Sequence, residues 1–146
     1  MLGTVPIAHD EYVIAAPRQR VWDLLASTII QCMPVEQMQV LNDTTMRAVL
    51  RFRLFGIEVP LGITLRVADI VPPESFETLV TVKKAMFESS LRVSYMLHTS
   101  DGDHTRVVCA ATQERGNPVF ALLRTQQRAF AGEMFDSVKK ELERSC

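Results

Sequence analysis

From Val35 to Arg115 the apolar side chains recur, with interruptions, at every second position, and past Pro118 they recur at every third and fourth. The first period is that of strands with one buried face, and the second is that of an amphipathic helix. Met46, Ala48, Leu50, Phe52 and Leu54 share one face of a strand whose other face carries Arg47, Arg51 and Arg53. Gly56 breaks the run, and Ile57, Val59, Leu61, Ile63, Leu65 and Val67 then share a face of the next strand. Pro60 and Gly62 inside that strand predict a bend, a bulge or an edge position. Pro72-Pro73 ends it. Phe76 to Lys84, Phe87 to Thr99 and Thr105 to Arg115 read as three more strands, the last two joined by a tight turn at Asp101-Gly102, where glycine supplies positive φ. Short connections between successive strands imply an antiparallel meander.

The two ends of the chain follow other rules. Ile7 to Ala15 reads as a strand, after which Pro17 presets the backbone for a helical turn without missing its amide. Val21, Leu24 and Leu25, with Trp22 beside them, predict a short helix, and a second piece runs through Thr28 to Cys32 and stops at Pro34. At the other end Gly116-Asn117-Pro118 is a helix start, because Asn caps free amides and Pro needs no partner for its own nitrogen. Leu123, Gln127, Phe130, Met134 and Val138 form the stripe of the helix that follows, widened by Val119, Phe120, Phe135 and Leu142. Lys139, Lys140 and Arg144 lie near its end, where the helix dipole favours cations. A sheet with one apolar face must cover it, and this helix is the only element long enough. The expectation is one α+β domain over residues 1–146: about seven antiparallel strands curved around a long C-terminal helix, with two short helices between strands 1 and 2.

Composition narrows the partners. Sixteen Lys and Arg against seventeen Asp and Glu leave a formal charge of −1, so no whole-chain field draws in nucleic acid or an anionic membrane. The alternating Arg47, Arg51 and Arg53 read as the solvated side of a strand. Cys32, Cys109 and Cys146 are far apart and show no zinc-ligand spacing, which fits reduced thiols in a cytoplasm and predicts no metal and no cofactor. The N-terminus lacks the pattern of a signal peptide, and no apolar run approaches the ~18 residues of a spanning helix.

The stretch Ala16-Pro17-Arg18-Gln19-Arg20-Val21-Trp22-Asp23-Leu24-Leu25, a strand running into a Pro-x-x-x-Val-Trp-x-x-Leu helix, resembles the opening of the START or SRPBCC superfamily. That group also holds the birch-pollen-allergen-like proteins and the polyketide cyclases, and the resemblance spans nearly the whole chain. Phe55-Gly56, Leu61 to Val67 and Asp69-Ile70-Val71-Pro72-Pro73 are in turn similar to the central strands of the superfamily's carbon monoxide dehydrogenase accessory branch, without that branch's appended membrane-anchoring segment. The resemblance implies a helix-grip fold with a pocket between sheet and helix.

Leu50, Phe52, Leu54, Ile63, Leu65, Leu91, Val93, Tyr95, Phe130 and Met134 project inward on this reading, joined by Gln113 and Gln127. From pattern alone such a face packs solid, and the family likeness is what turns it into a pocket for a lipid-like or aromatic molecule. Tyr95 is the first candidate for a polar contact, followed by Gln113 and Gln127, and the several methionines suit an adaptable apolar surface. A polyketide cyclase or dehydratase-type enzyme, and an accessory protein of a carbon monoxide dehydrogenase-type oxidoreductase, are the alternatives; a homodimer or a partner enzyme is compatible with either. His9, His98 and His104 sit at a strand end, on a polar face and at a turn, so no catalytic set is visible.

Overall fold

The computed structural model describes residues 4–54, 56–84, 87–114 and 124–146. The expected helix start at Gly116-Asn117-Pro118, with Val119, Phe120 and Leu123, lies outside the described residues, as do Phe55, Met86 and the side chain of Leu54. Among the described residues seven strands, β1 (Thr4–Ile14), β2 (Val35–Val40), β3 (Thr45–Leu54), β4 (Ile57–Val71), β5 (Ser75–Lys84), β6 (Phe87–Thr99) and β7 (Thr105–Glu114), join two helices, α1 (Arg18–Cys32) and α2 (Arg124–Ser145). The strands form a single antiparallel sheet in the order β1-β7-β6-β5-β4-β3-β2. α1 thus carries the chain from one edge of the sheet to the other, and the meander then walks back.

The two helical pieces expected between the first two strands are one helix. No Gly or Pro interrupts Arg18–Cys32, and the Ser27 and Thr28 hydroxyls donate to the Leu24 carbonyl without breaking the ladder. Pro17 occupies the N-cap position with extended ψ and no side-chain cap, and the helix ends at Met33, which Pro34 holds in the extended region. Val21, Leu25 and Thr28 form its buried face.

Of the three readings of Pro60 and Gly62, the edge position is the one found. β4 pairs with β3 from Ile57 onward but with β5 only from Ile63, so among the described residues the first part of β4 has one neighbour. The bulge in β4 falls at Asp69 instead, where φ is +52° and the register shifts between Ala68 and Val71. The β6–β7 turn is longer than a two-residue hairpin. Ser100 to His104 close it, with Gly102 at φ +58° and the Ser100 amide donating to the His104 carbonyl at 2.8 Å.

α2 packs against β1 and α1 and reaches across to β3. At β1 a register shift between Pro6 and Ala8 takes Ile7 out of the ladder, and Arg128 Nε donates to the Ile7 carbonyl at 3.1 Å. Thr105 Oγ1, fully buried, donates to the Ala16 carbonyl at 2.7 Å and ties the start of β7 to the β1–α1 corner.

The sheet and helix enclose two separate apolar clusters. The first joins Tyr12 and Ile14 of β1, Val21 and Leu25 of α1, the β6 and β7 residues Tyr95, Leu97, Val107 and Cys109, and Phe135, Val138 and Leu142 of α2. The second consists of Ala48, Leu50, Phe52, Ile63 and Leu65 of the β3–β4 hairpin, with Phe130 of α2 against them.

Candidate functional site

Between these clusters lies the middle of the concave face. Register pairs Ile63 with Val82, Leu65 with Val80, Val80 with Leu91 and Leu91 with Gln113, which sets these residues on one surface. At its two ends the side chains are buried. In the middle, Val67, Val80, Val82, Leu91 and Val93 are only half-buried although they point toward the helix side of the sheet. α2 leans on β1 at one edge and touches β3 at the other, so it bridges the curved sheet.

The predicted site residues divide accordingly. Leu50, Phe52, Ile63 and Leu65 are buried in the second cluster, where the Phe52 and Phe130 rings stand 5.8 Å apart. Leu91 and Val93 belong to the floor. Tyr95, 3% exposed, is part of the first cluster, stacked on Phe76 at 5.7 Å and meeting the edge of Phe135 at 6.0 Å. Gln113 is buried and has a partner. Gln127 and Met134 are half-buried on α2.

A cleft of about 760 Å3 lies between the last turn of α1, the tip of the β3–β4 hairpin and α2. Phe52, Phe130 and Met134 form its apolar part, and Arg51, Arg53 and Glu58 of the hairpin face Gln126, Glu133 and Ser137 of the helix across it. Arg51 and Glu58 are an exposed ion pair at 3.5 Å, worth well under ~1 kcal/mol to the fold. Most of this polar rim was missed at the sequence level. Arg51 and Arg53 are correctly read there as a solvated strand face, but nothing local says that α2 passes beside them. Val80 and Val82, by contrast, carry the alternation that marks the rest of the floor.

Three acids in the first cluster titrate unusually. Burial, reinforced by the Asp10 carboxylate, pushes the Cys109 thiol from 9.0 up to about 12. Burial, with Cys109 next in importance, likewise raises Tyr12 and Tyr95 above the ordinary 10.0. The Tyr12 hydroxyl is buried without a hydrogen-bond partner, and Lys139 Nζ lies 5.7 Å from its ring centroid. All three groups are neutral in the fold, while the unfolded chain ionises at the ordinary values. Their contribution to stability is therefore complete below about pH 9 and is lost as pH rises beyond it. The melting temperature is expected to fall by about 5 °C or more between pH 8 and pH 11, read by circular dichroism, with no comparable loss between pH 7 and pH 8.

His9, His98 and His104 are exposed. Among the described residues no group of three or more His, Cys, Asp or Glu is placed to hold a metal, and no helix is long and apolar enough to cross a membrane. All three cysteines are free thiols.

No protein-family model matches the sequence, and no curated protein does. Solved structures match it over nearly their full length. A conserved protein from Geobacillus kaustophilus superposes with a TM-score of 0.73 at 16% identity, covering 94% of this chain and 95% of that one. A START superfamily protein from Mycobacterium smegmatis gives 0.69 at 9% identity over 97% and 99%. Ara h 8.0201 gives 0.63 at 8% identity over 97% and 98%. An open antiparallel sheet gripping a C-terminal helix is the helix-grip architecture. The chain shares that fold with its START superfamily neighbour, and it is the fold that the opening motif implied.

Proposed function

We propose that the protein binds an apolar small molecule, lipid-like or aromatic, between the floor of the sheet and α2. One observation carries this reading: Leu91 and Val93, packed at the edge of the first cluster, and Val80 and Val82, packed at the edge of the second, lie on the helix side of the sheet and are only half-buried. Apolar surface left uncovered inside a fold is surface that a ligand can remove from water, at about 25 cal/mol per Å2 before the costs of binding. Valine and leucine side chains offer burial and no acid, base or nucleophile, so binding and shielding, without bond chemistry, is the function these floor residues serve best. On this reading the cleft lined by Phe52 and Phe130 serves as the entrance.

The test is a titration with the neutral dye N-phenyl-1-naphthylamine. A saturable one-site rise in fluorescence is expected. At a hundredfold excess over Kd the dye stabilises the fold by about 2.7 kcal/mol, which raises the melting temperature by several degrees. A linear, non-saturating response with no thermal shift is the contrary result.

A further inference from the structure

Four charged side chains line the cleft between the hairpin and α2, and only two of them are committed. Arg51 pairs with Glu58 on the hairpin wall at 3.5 Å. Among the described residues neither Arg53 on the same wall nor Glu133 on the helix wall has an ion-pair or hydrogen-bond partner, and the two do not pair with each other. Both are exposed as well as cleft-lining, so a solute entering the cleft meets them directly. Apolar surface lies beside each. Glu133 follows Phe130 by three residues, the spacing that sets two side chains on one face of a helix. Arg53 follows Phe52 on β3 and stands at the rim, while Phe52 is buried in the second cluster.

We infer that the ligand carries a zwitterionic head on its apolar body, a carboxylate that meets Arg53 and a quaternary ammonium that meets Glu133. This rests on the pocket reading above and adds the chemical class of the ligand. A purely anionic head gains Arg53 and is repelled by Glu133, and a purely cationic head meets the reverse. An uncharged head gains neither. Only a head with both signs is matched on both walls. The guanidinium offers parallel donors to a planar carboxylate, and a quaternary ammonium finds a ring in Phe130 next to Glu133. Each contact is made near solvent, so the selection is modest and weakens with salt.

Four probes with one dodecyl tail test this: N-dodecyl-N,N-dimethylglycine, dodecyltrimethylammonium, dodecanoate and dodecanol. Each is titrated below its micelle threshold into the full chain at neutral pH and low salt, by displacement of N-phenyl-1-naphthylamine. The zwitterion should bind about fivefold tighter than each of the other three, and the advantage should fall to about twofold in molar salt. Arg53→Gln should bring dodecyltrimethylammonium level with the zwitterion or ahead of it, and Glu133→Gln should do the same for dodecanoate. Dodecanol should bind both variants as it binds the wild type. Both substitutions replace exposed side chains without partners, so the ligand-free melting temperature should move by no more than about 2 °C.

Equal wild-type affinities for the zwitterion and dodecanol overturn the inference, as does a wild-type preference for either singly charged probe. A zwitterion preference that both variants keep also overturns it, because the selecting groups then lie elsewhere. The wild-type comparison stands even if a variant fails to fold. If the dye binds and the four probes rank otherwise, this inference fails alone. If neither dye nor probe binds, the pocket reading fails and takes the inference with it.

Discussion

Leu142→Ala is expected to destabilise the fold by about 3 kcal/mol and to lower its melting temperature by about 10 °C. Leu142 is fully buried near the end of α2 and packs in the same cluster as Val21 and Leu25 of α1, themselves fully buried. The contact joins the only two helices among the described residues and anchors the end of α2 that lies away from the open cleft. Truncation there removes the transfer energy of the lost methyl groups and leaves a cavity that two packed helices cannot close. Urea unfolding followed by circular dichroism measures it, with a reduced midpoint at unchanged slope as the expected signature. Ile57, 67% exposed at the hairpin, supplies the contrast: Ile57→Ser should change stability by no more than about 0.5 kcal/mol.

The second large effect is on binding. Leu91→Trp is expected to abolish dye binding, lowering affinity more than about tenfold, while stability stays within about 1 kcal/mol of wild type. Leu91 lies on β6 between Val80 of β5 and Gln113 of β7, on the half-buried floor. With space above it, the indole fills that space and takes the ligand's place. Without space, the same substitution overpacks a closed core and costs about 1–3 kcal/mol. Melting temperature and dye affinity, measured together, separate the two cases. A destabilised variant of a protein that never bound dye would place the floor inside an ordinary core.

Much of the fold was legible because its signals are local. Alternation in Met46 to Leu54 and in Leu91 to Leu97 follows from the two-residue strand period, and the Phe130, Met134 and Val138 spacing from the helical one. The single helix α1 was harder to see. Pro34 stops it clearly, but the exposed Ala26 and Ser27 separate its two apolar runs, which belong to one continuous helix. The bulge at Asp69 carries no signal that separates it from a surface aspartate on a strand.

The site was legible in part, for a physical reason. Which residues face inward is a property of each strand, and Leu50, Phe52, Ile63, Leu65, Leu91 and Val93 all do so. Which of those are covered depends on where α2 crosses the sheet, and that is set by distant contacts such as Arg128 with the Ile7 carbonyl. Hence Tyr95, chosen for its hydroxyl, lies between two phenylalanines in the closed cluster. Gln126 was overlooked because a polar residue beside the stripe of an amphipathic helix reads as solvated. Its place beside the cleft emerges only when the hairpin tip is set across from it.

Occupancy of the space between sheet and helix is read most directly from a crystal structure of the protein purified from cells without denaturation, inspected between β5, β6 and α2. Electron density for a small molecule in contact with Val80, Leu91 and Val93 is the expected result. A floor closed by side chains in van der Waals contact, with no space larger than a water molecule, would show that these residues form a core and hold no ligand.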